Sequence, residues 1–157
     1  MLNPRESGEC YAVTPSEERS RSSQLGSSAC WVLLIDDDPI TARSIARWVS
    51  RTAQMTVLVA HNPEEAEDHL KREGEPTAVI SDFELLHGEN GVRLLHRLRT
   101  LGCRAPAAIL TAAPDRALRA LNASTLDEIV PVISKADNGL QLEEWLDNLR
   151  LCWAQSA

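Results

Sequence analysis

The sequence predicts an α/β fold, a five-stranded parallel sheet that is doubly wound, with helices on both faces. Three observations carry the prediction. Five short apolar runs alternate with helix-patterned segments, the order that builds parallel β-α units. Runs such as "WVLLI" are apolar throughout rather than alternating, as strands buried on both faces are. Four of the runs lead straight into polar residues, at Asp36, Asp82, Thr111 and Lys135. In an open α/β sheet those positions face the ligand crevice.

The elements follow in chain order. Residues 1–29 are rich in Ser, Glu and Arg and show neither helical nor strand period, so they are expected to be a disordered tail. A folded unit is expected over 30–157. "WVLLI" (31–35) is the first strand. Asp38 caps the next helix and Pro39 opens it, with Ala42, Ile45, Ala46 and Val49 on one face. "TVLVA" (56–60) is the second strand. Asn62, Pro63 and Glu65 then make a helix start of the capping-box type, and Gly74 marks its end. "AVIS" (78–81) is the third strand. A loop leads to Gly91 and a helix, "VRLLHRLRTLG", that stops near Gly102. "AAILT" (107–111) is the fourth strand and "PDRALRALN" (114–122) a short helix. "IVPVIS" (129–134) is the fifth strand. Pro131 within it removes a ladder donor and calls for a sheet edge. The last helix sets Leu142, Trp145, Leu146, Leu149 and Trp153 on one stripe.

Composition narrows the function. A length of 157 residues suits one domain with a tail, and 43% hydrophobic with 25% charged residues is ordinary for a soluble globular chain. The net charge of -7, with no basic stripe, argues against nucleic acid as a partner. No apolar run approaches the roughly 18 residues of a membrane span, and the first residues lack a signal-peptide core. A cytoplasmic protein with no membrane contact is expected. Cys10, Cys30, Cys103 and Cys152 form neither a CxxC pair nor a zinc spacing, so free thiols are expected. His61, His69, His87 and His96 have no ligand spacing and are read as surface or loop residues.

A parallel sheet gathers Asp36, Asp37, Asp82, Thr111 and Lys135 at one edge. Three carboxylates in one crevice repel one another without a counter-ion. A divalent cation removes the conflict, and an all-oxygen donor set favours Mg²⁺. Lys135, one of only two lysines, adds a compact positive charge, and Thr111 adds a hydroxyl. Such a set neutralises a phosphoryl group in transfer, with one aspartate as nucleophile.

The stretches "VLLIDDD", "VISD", "AAILTA" and "VPVISK", in that order, resemble the receiver domain of bacterial two-component response regulators over about residues 31–153. The resemblance implies a flavodoxin-like (βα)5 fold with sheet order 2-1-3-4-5, in which the fifth strand is an edge, as Pro131 requires. It implies that Asp82 is the phosphoacceptor. It makes Asp36 and Asp37 the acidic pair that arranges Mg²⁺, with Asp37 a direct ligand. Asp82 and the main-chain carbonyl of Glu84 complete the metal set. Thr111 becomes a switch hydroxyl, and Lys135 bonds a pocket carboxylate or the phosphate. Asp38 is expected to be only a helix cap. The implied partners are a histidine kinase or histidine phosphotransfer protein and an unknown output protein in a phosphorelay. With no effector segment after the last helix, a stand-alone signalling domain rather than an enzyme is expected.

Some residues depart from the pattern. "DFELLHGENG" lacks the usual proline after the phosphoacceptor and is similar to receivers of hybrid histidine kinases. Ala136 follows the lysine where proline is usual, so no cis bond is expected there. Val132 stands where the family often has Tyr or Phe. These departures keep open a phosphorylation-independent adaptor with the same fold. A haloacid-dehalogenase-type phosphatase is a weaker alternative, with Asp36 and Asp38 as its D-x-D. It lacks the Gly-Thr that should follow, and leaves Asp82 without a role.

Overall fold

In the computed structural model, which describes residues 10–11 and 30–156, the chain forms a six-stranded sheet flanked by helices. The strands are β1 (Cys10–Tyr11), β2 (Trp31–Ile35), β3 (Thr56–Ala60), β4 (Ala78–Asp82), β5 (Ala107–Thr111) and β6 (Val132–Ser134). The helices are α1 (Pro39–Ala53), α2 (Pro63–Glu73), α3 (Gly91–Thr100), α4 (Pro114–Asn122) and α5 (Leu140–Ser156). The sheet order is β1-β3-β2-β4-β5-β6. The strands β2 to β6 are all parallel, and their order is the expected 2-1-3-4-5.

The apolar runs are buried on both faces because the sheet is covered on both. On β2, Val32 and Leu34 meet Ala42, Ala46 and Val49 of α1 and Leu142 and Leu146 of α5. Trp31, Leu33 and Ile35 point the other way, into the layer of Ala66, Leu94, Leu95, Leu98 and Ala117 from α2, α3 and α4. Trp145, Leu149 and Trp153 pack along the α5 stripe read from the sequence.

The caps form as read. Asp38 accepts from the Ile40 N–H, and Asn62 accepts from the Glu65 N–H at 2.9 Å. Glu65 reaches one residue further back than a standard capping box and accepts from the His61 N–H at 2.8 Å.

Three details differ from expectation. The final strand is shorter than 129–134. Pro131 has no N–H to enter the ladder, and only its carbonyl takes part, accepting from the Ile109 N–H at 2.9 Å. Ile129 is 98% exposed. The strand is nonetheless the sheet edge that Pro131 calls for. His69 is not a surface residue but lies buried on α2, its Nε2 2.9 Å from the Val59 carbonyl and its Nδ1 accepting from Arg72. The helical period that places Ala66 inward also carries His69 there. Finally, Cys10 and Tyr11 pair antiparallel with Leu58 and Val57 and cover part of the open edge of β3. The other residues expected to form the tail lie outside the described residues.

Candidate functional site

The polar residues at the strand ends converge. One carboxylate oxygen from each of Asp36, Asp37 and Asp82 lies within 4.8 Å of the others. Asp36 and Asp37 follow β2 directly, and Asp82 ends the neighbouring β4. The parallel pairing of Ile35 with Ser81 sets the two strand ends level. Lys135, next after β6, has its Nζ 3.3 Å from an oxygen of Asp36 and 3.3 Å from an oxygen of Asp82. The Lys135 N–H is tied to the Thr111 carbonyl at 2.9 Å, which fixes the start of its side chain. No cis peptide bond occurs among the described residues, so a trans bond before Ala136 already aims the lysine into the pocket.

Electrostatics inside the pocket are unbalanced. Asp36 is only 1% exposed, and burial pushes its carboxyl above the ordinary aspartate value. The Asp38 N–H, donated to Asp36 at 2.9 Å, and Lys135 oppose that rise. Burial raises Asp82 too, with the neighbouring Asp36 charge adding to it and Lys135 opposing it. One ammonium, in contact with two of the three clustered acids, leaves a deficit of positive charge that a divalent cation would offset. The donor set is all oxygen, which fits Mg²⁺ and not a soft metal.

Thr111 is buried at the end of β5, and its hydroxyl oxygen accepts from the Ala113 N–H at 2.9 Å. Asp38 lies apart from the cluster, exposed and occupied with the Ile40 N–H and the Thr41 hydroxyl. That geometry removes the D-x-D needed by the phosphatase alternative. The Glu84 carboxylate pairs with Arg116 of α4, and its main chain bridges Asn90 across the loop after Asp82. The loop folds back because Gly91 donates to the Phe83 carbonyl at 2.8 Å, while Phe83 is buried.

The sequence reading passed over His61. Its Nδ1 lies 3.0 Å from the main-chain carbonyl of Asp36. The signal was present: His61 directly follows β3, at the same strand-end position that singled out the acids.

Comparison with known proteins agrees with this geometry. The family model described as "Response regulator receiver domain" matches residues 32–137. Among curated proteins no match is found. A solution structure of the Erythrobacter litoralis PhyR response regulator REC domain is 20% identical, with TM-score 0.62 over 78% of this chain and 91% of that one. A response regulator receiver domain protein from Clostridium thermocellum is 17% identical, with TM-score 0.60 over 82% and 99%. The anti-anti-sigma factor PhyR from Bartonella quintana is 22% identical, with TM-score 0.60 over 83% of this chain and 51% of that protein. At these identities the structural likeness speaks for the fold. Receiver domains are two-component signalling domains that work through phosphorylation, not classical enzymes. With a family model that spans most of the folded residues and a sheet of the matching order, the chain belongs to the response regulator receiver domain family.

Proposed function

We propose that Asp82 accepts a phosphoryl group from a phosphohistidine, and that the phosphorylated protein signals by binding another protein in a phosphorelay. The observation that supports this reading best is the meeting of Asp36, Asp37 and Asp82 with the Lys135 ammonium, 3.3 Å from two of them. The carboxylates of Asp36, Asp37 and Asp82 and the main-chain carbonyl of Glu84 would hold Mg²⁺. When bound, the ion supplies positive charge to the phosphoryl oxygens.

The transfer itself is a displacement at phosphorus. A carboxylate oxygen of Asp82 forms the new P–O bond as the P–N bond to the donor imidazole breaks. The electron pair returns to the imidazole, and the product is an acyl phosphate. Lys135 stands where it neutralises charge on the moving group. The Thr111 hydroxyl, now on the Ala113 N–H, is the donor that turns to a phosphoryl oxygen. The donor protein is a histidine kinase or a histidine phosphotransfer protein. The receiver unit runs over 30–157, with Cys10–Tyr11 added at its sheet edge.

Incubation with a small acyl phosphate and Mg²⁺ should add one phosphoryl group. Asp82→Asn should abolish it, and unchanged labelling in that variant would end this reading. Val132 favours a second reading, because the aromatic half of the usual switch is missing. If the adaptor reading holds, signalling in cells survives Asp82→Asn.

A further inference from the structure

We propose that His61 is a positioning residue for the acidic pocket, holding the Asp36–Asp37 peptide so that the carboxylates converge on a divalent cation. This inference rests on the phosphoacceptor reading only in its choice of cation. Its structural basis is independent of phosphorylation.

The residue after β2 is held from both sides of its backbone by the end of β3. The Asp36 N–H donates to the Ala60 carbonyl at 3.1 Å. The Asp36 carbonyl, 3.0 Å from His61 Nδ1, can only accept, so that nitrogen carries a proton. The bond fixes the plane of the peptide that leads into Asp37, one of the three clustered carboxylates. His61 is itself held. Its main-chain N–H donates to Glu65 at 2.8 Å, and the Glu65 N–H donates to Asn62 at 2.9 Å. A chain of contacts therefore runs from the start of α2, through the imidazole, to the loop that carries Asp36 and Asp37. Neither Asp36 nor Asp37 has a rigid element of its own at that point, because β2 ends at Ile35 and α1 begins at Pro39.

Groups that orient metal ligands without touching the metal change affinity by about 10–100-fold when removed. His61→Leu takes away the donor at similar size. His61→Asn keeps one, since an asparagine amide nitrogen reaches nearly the place of Nδ1. Mg²⁺ binding to the full chain is measured by calorimetry, and the Mg²⁺ midpoint and saturating rate of labelling by acetyl phosphate are measured beside it. His61→Leu should weaken Mg²⁺ binding and raise the midpoint about tenfold, at the low end of that range, with the saturating rate close to wild type. His61→Asn should restore most of the affinity. The melting temperature without Mg²⁺ identifies a variant that fails to fold, and then His61→Asn against His61→Gln decides, the shorter amide binding more tightly.

Equal Mg²⁺ affinity in wild type and His61→Leu overturns the inference, as does equal weakening in the leucine and asparagine variants. Failure of the phosphoacceptor reading is seen separately. The wild type would then bind Mg²⁺, with the expected variant ranking, and take no label on Asp82. A wild type that binds no Mg²⁺ overturns both.

Discussion

Lys135 and the acids around it set what single residues can do here. Its Nζ is shared between Asp36 and Asp82 at 3.3 Å each, so it offsets repulsion in the resting pocket, and the proposed function has it meet a phosphoryl oxygen. Lys135→Met should slow labelling by acetyl phosphate about 100-fold, the scale seen when one preorganised charge-stabilising donor is lost. Initial rates at saturating Mg²⁺ check this, and a rate within a factor of two of wild type would contradict the role. Asp38 shows why three aspartates in a row are not three ligands. The third faces solvent and caps α1, while the first two face the crevice. The sequence placed that division correctly, because a cap is recognised by the proline after it. The bond from His61 to Asp36 joins residues 25 apart in sequence and leaves no local pattern.

At the scale of elements, α3 starts in close contact with the end of β4. A Cβ on Gly91 would lie 2.4 Å from the Asp82 main-chain oxygen and 3.1 Å from Ile109. Gly91→Ala must therefore push α3 away from the strand that carries Asp82. Overpacking of this kind costs about 1–3 kcal/mol, which urea denaturation will show, and labelling should slow with it. A second junction lies at the opposite end of α3. Arg99 donates to both oxygens of Glu128 at 2.6 and 2.8 Å and to the Ala105 carbonyl at 2.7 Å, tying the segment before β6 to the end of α3. The hydrogen bond from Arg99 holds the Glu128 carboxyl below the ordinary glutamate value of 4.5. A lowered folded-state value means this stabilisation is complete above 4.5 and fades as pH falls through that lower value. Glu128→Gln should therefore unfold more easily than wild type at neutral pH, and the difference should shrink in acid. Denaturation midpoints across that range test the sign. A gap that widens in acid would contradict it.

For the whole molecule, the architecture was legible because the five parallel strands lie in short apolar runs and the first two helices carry start signals, Asp38–Pro39 and Asn62–Pro63. The strand ends also announced the crevice, since parallel strands leave few other places for Asp36, Asp82, Thr111 and Lys135 to go. Longer-range information was not legible. The pairing of Cys10 and Tyr11 with β3 depends on an open sheet edge far along the chain, and two residues carry no period. His69 was misread by type, although its helical phase places it inside. Among the described residues no helix is long and apolar enough to cross a membrane, in line with the hydropathy of the sequence. The charge imbalance of the pocket has a global consequence. Free Mg²⁺ at about 100 times its dissociation constant should stabilise the folded chain by ~2.7 kcal/mol. Thermal unfolding should show this as a rise of several degrees, largely absent in Asp37→Ala.

The most direct measurement is the location of the phosphoryl group itself. The protein is treated with acetyl phosphate and Mg²⁺, the acyl phosphate is trapped by borohydride reduction, and the modified peptide is sequenced by mass spectrometry. Modification at Asp82, lost when Mg²⁺ is chelated, is the result predicted. Modification at another residue, or undiminished labelling of Asp82 without Mg²⁺, would contradict the account.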